Sequence, residues 1–258
     1  MRLMKRILSA AAVLALSASL LVGCSSGTAS AVPVSASSAA ESTVSSVEET
    51  ASSAVDENEA AAAQLLNDLT GSYQELWPVI LADEYKQTWL DDCTALVGED
   101  NAEAAFEKLS SMVTGDVYGE DAVKAYANGG GAYFCGFTNS LATLTFDGET
   151  STIFGTDKDG NVLFSHTYHY IGMEPVHGLY EFERDDADSG EFTYFFLAPD
   201  TSAETYHIEF RYGSDAEALS QYDAGEYAYW VASGISTDCD QTMIDNCIEL
   251  FCTENLAG

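Results

Sequence analysis

From Asp83 to Val97 the apolar side chains Tyr85, Trp89, Leu90, Cys93, Leu96 and Val97 recur every three or four positions, with acidic residues between them. Ala102 to Val113 repeats the pattern through Phe106, Leu109, Met112 and Val113. That period lays one apolar stripe along a helix, so two consecutive helices are predicted. Gly129-Gly130-Gly131 closes the helical region, and the period then falls to two. Strands are predicted at Ala132 to Thr138, Ala142 to Phe146, Thr150 to Gly155, Val162 to Ile171, Gly178 to Arg184, Glu191 to Leu197 and Thr205 to Arg211. Asp147-Gly148, Asp157-Lys158-Asp159-Gly160, Asp185 to Gly190 and Pro199-Asp200 supply the turns. Short helices follow near Asp215 to Tyr222 and from Thr237 to Asn255, the second with Thr237 as its expected cap. Consecutive strands without crossover helices predict a mainly β protein with flanking helices, an α+β chain built on a closed antiparallel barrel or a sandwich.

Composition confines this pattern to the later part of the chain. All 29 aromatic residues lie between Tyr73 and Phe251. Large apolar side chains must offset the ordering entropy, so one domain over 61–258 is expected. In 25–60, Ser, Ala or Thr occupies 22 of 36 positions, which predicts a solvated acidic tether. Before it, Arg2, Lys5 and Arg6 precede an apolar run from Ile7 to Leu21, too short to span a bilayer comfortably, that ends in Leu21-Val22-Gly23-Cys24. This string resembles a bacterial lipobox. Residues 1–24 are therefore expected to be a lipoprotein signal peptide, with Cys24 carrying the lipid that anchors the protein to the extracytoplasmic face of the cell membrane.

Beyond residue 24 the charge is 6 − 42 = −36. Such a surface repels phosphate backbones, so no nucleic-acid partner is expected, and cations or neutral ligands remain. Outside the cytoplasm Cys93, Cys135, Cys239, Cys247 and Cys252 are permitted to form disulfides. Their number is odd, none forms Cys-x-x-Cys, and Cys247 and Cys252 are too far around one helix to bond each other.

The four histidines are His166, His169, His177 and His207. In Tyr206-His207-Ile208-Glu209-Phe210, His207 and Glu209 share one face of a strand, and a histidine beside a carboxylate suits a cation. The competing reading leaves both in solvent while Ile208 and Phe210 face the core. His166 and His169 are an odd number apart and face opposite ways. A hairpin through Asp185 to Gly190 sets His177 opposite Ala198, so that His177 can converge with His207 and Glu209 at one end of the sheet. Two nitrogens and a carboxylate oxygen with an open fourth position would suit Zn²⁺. Asp157 to Asn161 reads as a hairpin turn, since its glycine comes too early for a calcium loop. No phosphate loop, nucleophile elbow or Cys/His pair argues for an enzyme, and none is expected.

Leu69 to Trp77, His166 to Gly172, Leu179 to Phe182, Phe195 to Pro199 and His207 to Gly213 together resemble the ZinT (YodA) family of extracytoplasmic zinc-binding proteins. The resemblance runs from about Leu69 to Leu250. It implies a calycin, lipocalin-like antiparallel β-barrel and zinc as cargo, with a metal ABC transporter as partner. The family's His-x-His corresponds to His207 and Glu209, and Phe195 stands where its preceding-strand histidine would be. The expected function is therefore a lipid-anchored binder of a divalent metal, zinc, for uptake or buffering, through His207, Glu209 and His177. The alternative is a calycin-type binder of an apolar small molecule with the metal site lost and Phe195 closing the mouth.

Overall fold

The computed structural model describes residues 57–128, 131–187, 190–198 and 207–257. The expected signal peptide, Cys24, the tether up to residue 56 and Pro199 lie outside the described residues. Eight antiparallel strands close into a barrel in chain order: β1 (Gly71–Glu75), β2 (Thr143–Asp147), β3 (Thr152–Thr156), β4 (Val162–Met173), β5 (Tyr180–Arg184), β6 (Tyr194–Leu197), β7 (His207–Gly213) and β8 (Ala232–Ser236). The last strand pairs back onto the first through Tyr73 opposite Ser236. This is the calycin-type barrel with flanking helices expected from the sequence, and closure leaves it no free edge.

Three strand positions differ from expectation. Residues 132–138 form only isolated bridges, Thr114 to Phe134 and Phe134 to Trp230. Their backbone is shared between unlike neighbours: Tyr133 N–H donates to Met112 O (2.8 Å), while Cys135 O accepts from Ser233 N–H (3.0 Å). The barrel instead recruits β1 and β8. β8 reads Ala-Ser-Gly-Ile-Ser and lacks alternation because Ala232, Ser233, Gly234 and Ile235 are all buried.

A helix over 57–68, α1, precedes β1 and lays Ala62, Leu65 and Leu66 against the barrel core. It takes in 57–60, which composition had assigned to the tether, because an alanine run favours helix as well as linker. α2 (Leu76–Ile80) follows β1, and α3 (Lys86–Val97) and α4 (Glu99–Val113) are the two expected helices. α5 (Glu120–Ala127) is a further helix beyond those expected, and α6 (Ala216–Leu219) is one turn. α7 (Gln241–Leu256) is capped by Asp240, whose carboxylate accepts Met243 N–H at 3.0 Å, rather than by Thr237. Thr237 is still occupied by β1, donating its N–H to Ser72 O.

Directly paired residues share a face, so the register sorts the strands. Phe182, Phe195, Tyr212 and Phe210, with Phe164 and Tyr168, point inward and fill the barrel. Their rings lie 5.3–6.3 Å apart where they meet around Phe195. A second apolar layer forms outside, where Trp77, Trp89, Leu109, Ile235, Ile248 and Phe251 join α2, α3, α4 and α7 to the barrel wall. Trp89 also donates to Ile80 O at 2.7 Å, which ties α3 to α2.

Candidate functional site

On β7 the parity is clear. Ile208, Phe210 and Tyr212 belong to the interior, so His207, Glu209 and Arg211 face out. His207 lies opposite Ile235, Glu209 opposite Ser233, and Arg211 opposite Phe196. The competing sequence reading, with His207 and Glu209 in solvent, fails on burial. Glu209 is buried, and His207 is packed closely enough that burial pushes its pKa down to about 4. Its imidazole is neutral at physiological pH.

Arg211, which the sequence reading overlooked, organises this outer face. It is wholly buried and donates to the carbonyls of Leu219, Gln221 and Tyr227, pinning the 219–227 loop onto β7. Its guanidinium lies 4.2 Å from the centre of the Tyr222 ring. The His177 ring approaches Tyr222 at 3.8 Å between centroids. Burial pushes the Tyr222 hydroxyl up, and among its electrostatic neighbours are Arg211, Glu174 and Glu209. Tyr222 therefore links the turn that carries His177 to the outer face of β7.

That turn is built by Glu174, a second residue missed from sequence. Its buried carboxylate accepts the N–H groups of Val176 (3.0 Å) and His177 (2.5 Å) and lies 3.4 Å from His177 Nδ1. Burial alone would raise its pKa, but the hydrogen bonds from His177 and Val176 outweigh burial and hold it below the ordinary carboxylate value. Nothing in the local pattern 174–177 announces this, because the carboxylate acts within a turn, where no periodicity marks buried positions. Arg211 was more legible: it is the next outward position after Glu209.

The register assumed for the expected trio His177, His207 and Glu209 differs in the structure. Tyr180 pairs with Leu197, a register two residues away from the one that set His177 opposite Ala198. His177 thus nears β7 through Tyr222, and among the described residues no group of three or more His, Cys, Asp or Glu is gathered to hold a metal ion. The family-derived correspondence also splits. Phe195 shares the inner face with Tyr212, so it cannot stand beside His207 and Glu209, and it sits inside the barrel rather than across its mouth.

The remaining histidines behave as their parity requires. His169 faces out and its Nδ1 lies 2.7 Å from Asp185. His166 faces in, opposite Ile153, with Nδ1 2.5 Å from Asp186 and Nε2 3.2 Å from Arg184 Nη1. Asp157 closes its hairpin by accepting from Asp159 and Asn161, both at 2.9 Å. Elsewhere an open apolar groove of about 330 Å³ runs past Glu75, Trp77, Leu81, Val113, Phe134 and Cys135.

No protein-family model matches the chain, and comparison with curated proteins found no match. Among solved structures it is similar to the Zn(II)-bound ZinT-like domain of Streptococcus pneumoniae AdcA, at 15% identity and a TM-score of 0.43 over 70% of this chain and 87% of that one. It is similar also to Zn(II)-bound AdcA from the same organism, at 13% identity and a TM-score of 0.41 over 71% of this chain and 34% of the other. Likeness at this level says nothing of individual side chains.

Proposed function

We propose that the protein is a lipid-anchored extracytoplasmic binding protein that captures a divalent cation, zinc, at the outer face of β7, for uptake or buffering. His207 and Glu209 are the principal ligands. The observation that carries this reading is a single one: a burial-neutralised imidazole stands two residues from a carboxylate on the same outward face. Zinc takes neutral imidazole and carboxylate, so His207 needs no deprotonation to bind. His177 would have to turn away from Glu174, which lies 3.4 Å from its Nδ1, to supply a third ligand, and Glu174 and Glu209 offset the charge that Arg211 sets against a dication. The charge of −33 favours approach of cations. The zinc named with the two AdcA structures is consistent with this cargo. An apolar ligand within the barrel is the weaker reading, because Phe195, Phe210 and Tyr212 occupy that space with no exposure.

Zinc titration calorimetry tests the proposal. His207→Ala and Glu209→Ala should each weaken binding by roughly tenfold or more, and His166→Ala should leave it unchanged. Equal zinc affinity in wild type and His207→Ala would overturn the site. Binding that is weak, multiple and abolished by salt would assign the metal to the diffuse acidic surface instead.

A further inference from the structure

Far from β7, the outer helical layer brings two thiols together across most of the domain. Cys93 on α3 and Cys252 on α7 have Sγ atoms 3.9 Å apart, and neither residue is exposed. The two helices pack side by side, so the contact belongs to a stable interface between elements rather than to a loop. We propose that Cys93 and Cys252 are an oxidation site at which a disulfide clamps α3 to α7.

The chemistry is thiol–disulfide exchange with a small-molecule disulfide such as oxidised glutathione. One cysteine thiolate attacks the small disulfide, forms a mixed disulfide and expels one thiolate. The second cysteine thiolate then attacks the protein sulfur of that mixed disulfide and expels the other. Two protein thiols become one cystine, the oxidant becomes two thiols, and the two protons pass through solvent to them. The sulfurs must close from 3.9 Å to about 2.05 Å, a movement within reach of side-chain rotation.

Burial also sets when the bond forms. It pushes the Cys252 thiol up, with Cys93 adding to the rise, and it pushes Cys93 up too. Few thiolates therefore exist in the closed fold, and no oxidant reaches them. The pair reacts as the domain folds, before the helices seal it, and the finished bond is shielded from reductant in the same way. The clamp joins positions 159 residues apart and encloses β2 to β8. Cross-links over so long a loop stabilise strongly by restricting the unfolded chain. Cys135 and Cys247 are buried and Cys239 is partly exposed. Cys239 contributes to the raised pKa of Cys247 and is therefore the competing partner to rule out.

The test is to refold the full chain from denaturant in a reduced and oxidised glutathione buffer, then map peptides without reduction. A peptide linking Cys93 to Cys252 is expected, and the thiol count under denaturing conditions should fall by two relative to the fully reduced protein. Dithiothreitol present during refolding should lower the melting temperature by roughly 5–15 °C. Cys252→Ala and Cys93→Ala should each abolish that difference, read within each variant so that any packing cost cancels. An unchanged thiol count, or a mapped Cys239–Cys247 link without Cys93–Cys252, would overturn the site. A mapped Cys93–Cys252 bond with no change of melting temperature would overturn the clamp.

Discussion

His207 makes the domain sensitive to acid in a calculable way. Its folded pKa is about 4 against 6.5 for the free side chain, and the cause is burial. Between those values the unfolded chain holds a proton that the folded chain does not, so stability rises with pH and is lost as pH falls from about 6.5 towards 4. Integrating the two titrations gives a loss from this residue of roughly 1–2 kcal/mol at pH 5.5 and roughly 2–3 kcal/mol at pH 4.5. For a domain of this size that corresponds to a melting-temperature decrease of roughly 5–10 °C at pH 4.5. The perturbation is His207→Gln, which keeps a polar side chain of similar size and removes the titration. Melting followed by circular dichroism at pH 7.5, 6.5, 5.5 and 4.5 should show the wild type falling more steeply than the variant, whatever constant offset the substitution introduces. Parallel curves would refute the reasoning, because they would mean that His207 is solvated in the folded state.

Three further outcomes follow from the packing and the chain's start. Leu66→Ala should cost about 2–5 kcal/mol by urea denaturation, since Leu66 is buried in the barrel cluster, and an unchanged midpoint would show that α1 is not docked. Arg211→Met should cost roughly 3 kcal/mol, because the buried carbonyls of Leu219 and Tyr227 and the less buried one of Gln221 lose a charged donor, and a variant as stable as wild type would mean that water replaces those bonds. Cys24→Ala should move the protein from the membrane fraction to the soluble one with its fold intact, and membrane retention after a high-salt wash would count against lipidation.

The barrel was legible where one face is buried and the other is wet. β2 to β5 show that alternation, and Asp157-Lys158-Asp159-Gly160 marks its turn plainly. β8 was not legible, because small residues covered on both faces leave no period. α1 was hidden by an alanine-rich composition that suits a linker equally well. At the site, the shared face of His207 and Glu209 followed from their spacing alone. What local spacing could not supply was the third dimension: Tyr222 and Arg211 occupy the ground between His177 and β7, and only the folded 219–227 loop brings them there. Parity also decided against Phe195, since an inward position on β6 cannot serve an outward site on β7.

The central claim, zinc held by imidazole and carboxylate on the outer face of β7, is tested most directly by X-ray absorption at the zinc edge of the protein loaded with one equivalent. A first shell of nitrogen and oxygen at about 2.0–2.2 Å is expected, with imidazole scattering that diminishes in His207→Ala. A zinc–sulfur shell near 2.3 Å, or imidazole scattering identical in wild type and His207→Ala, would contradict it.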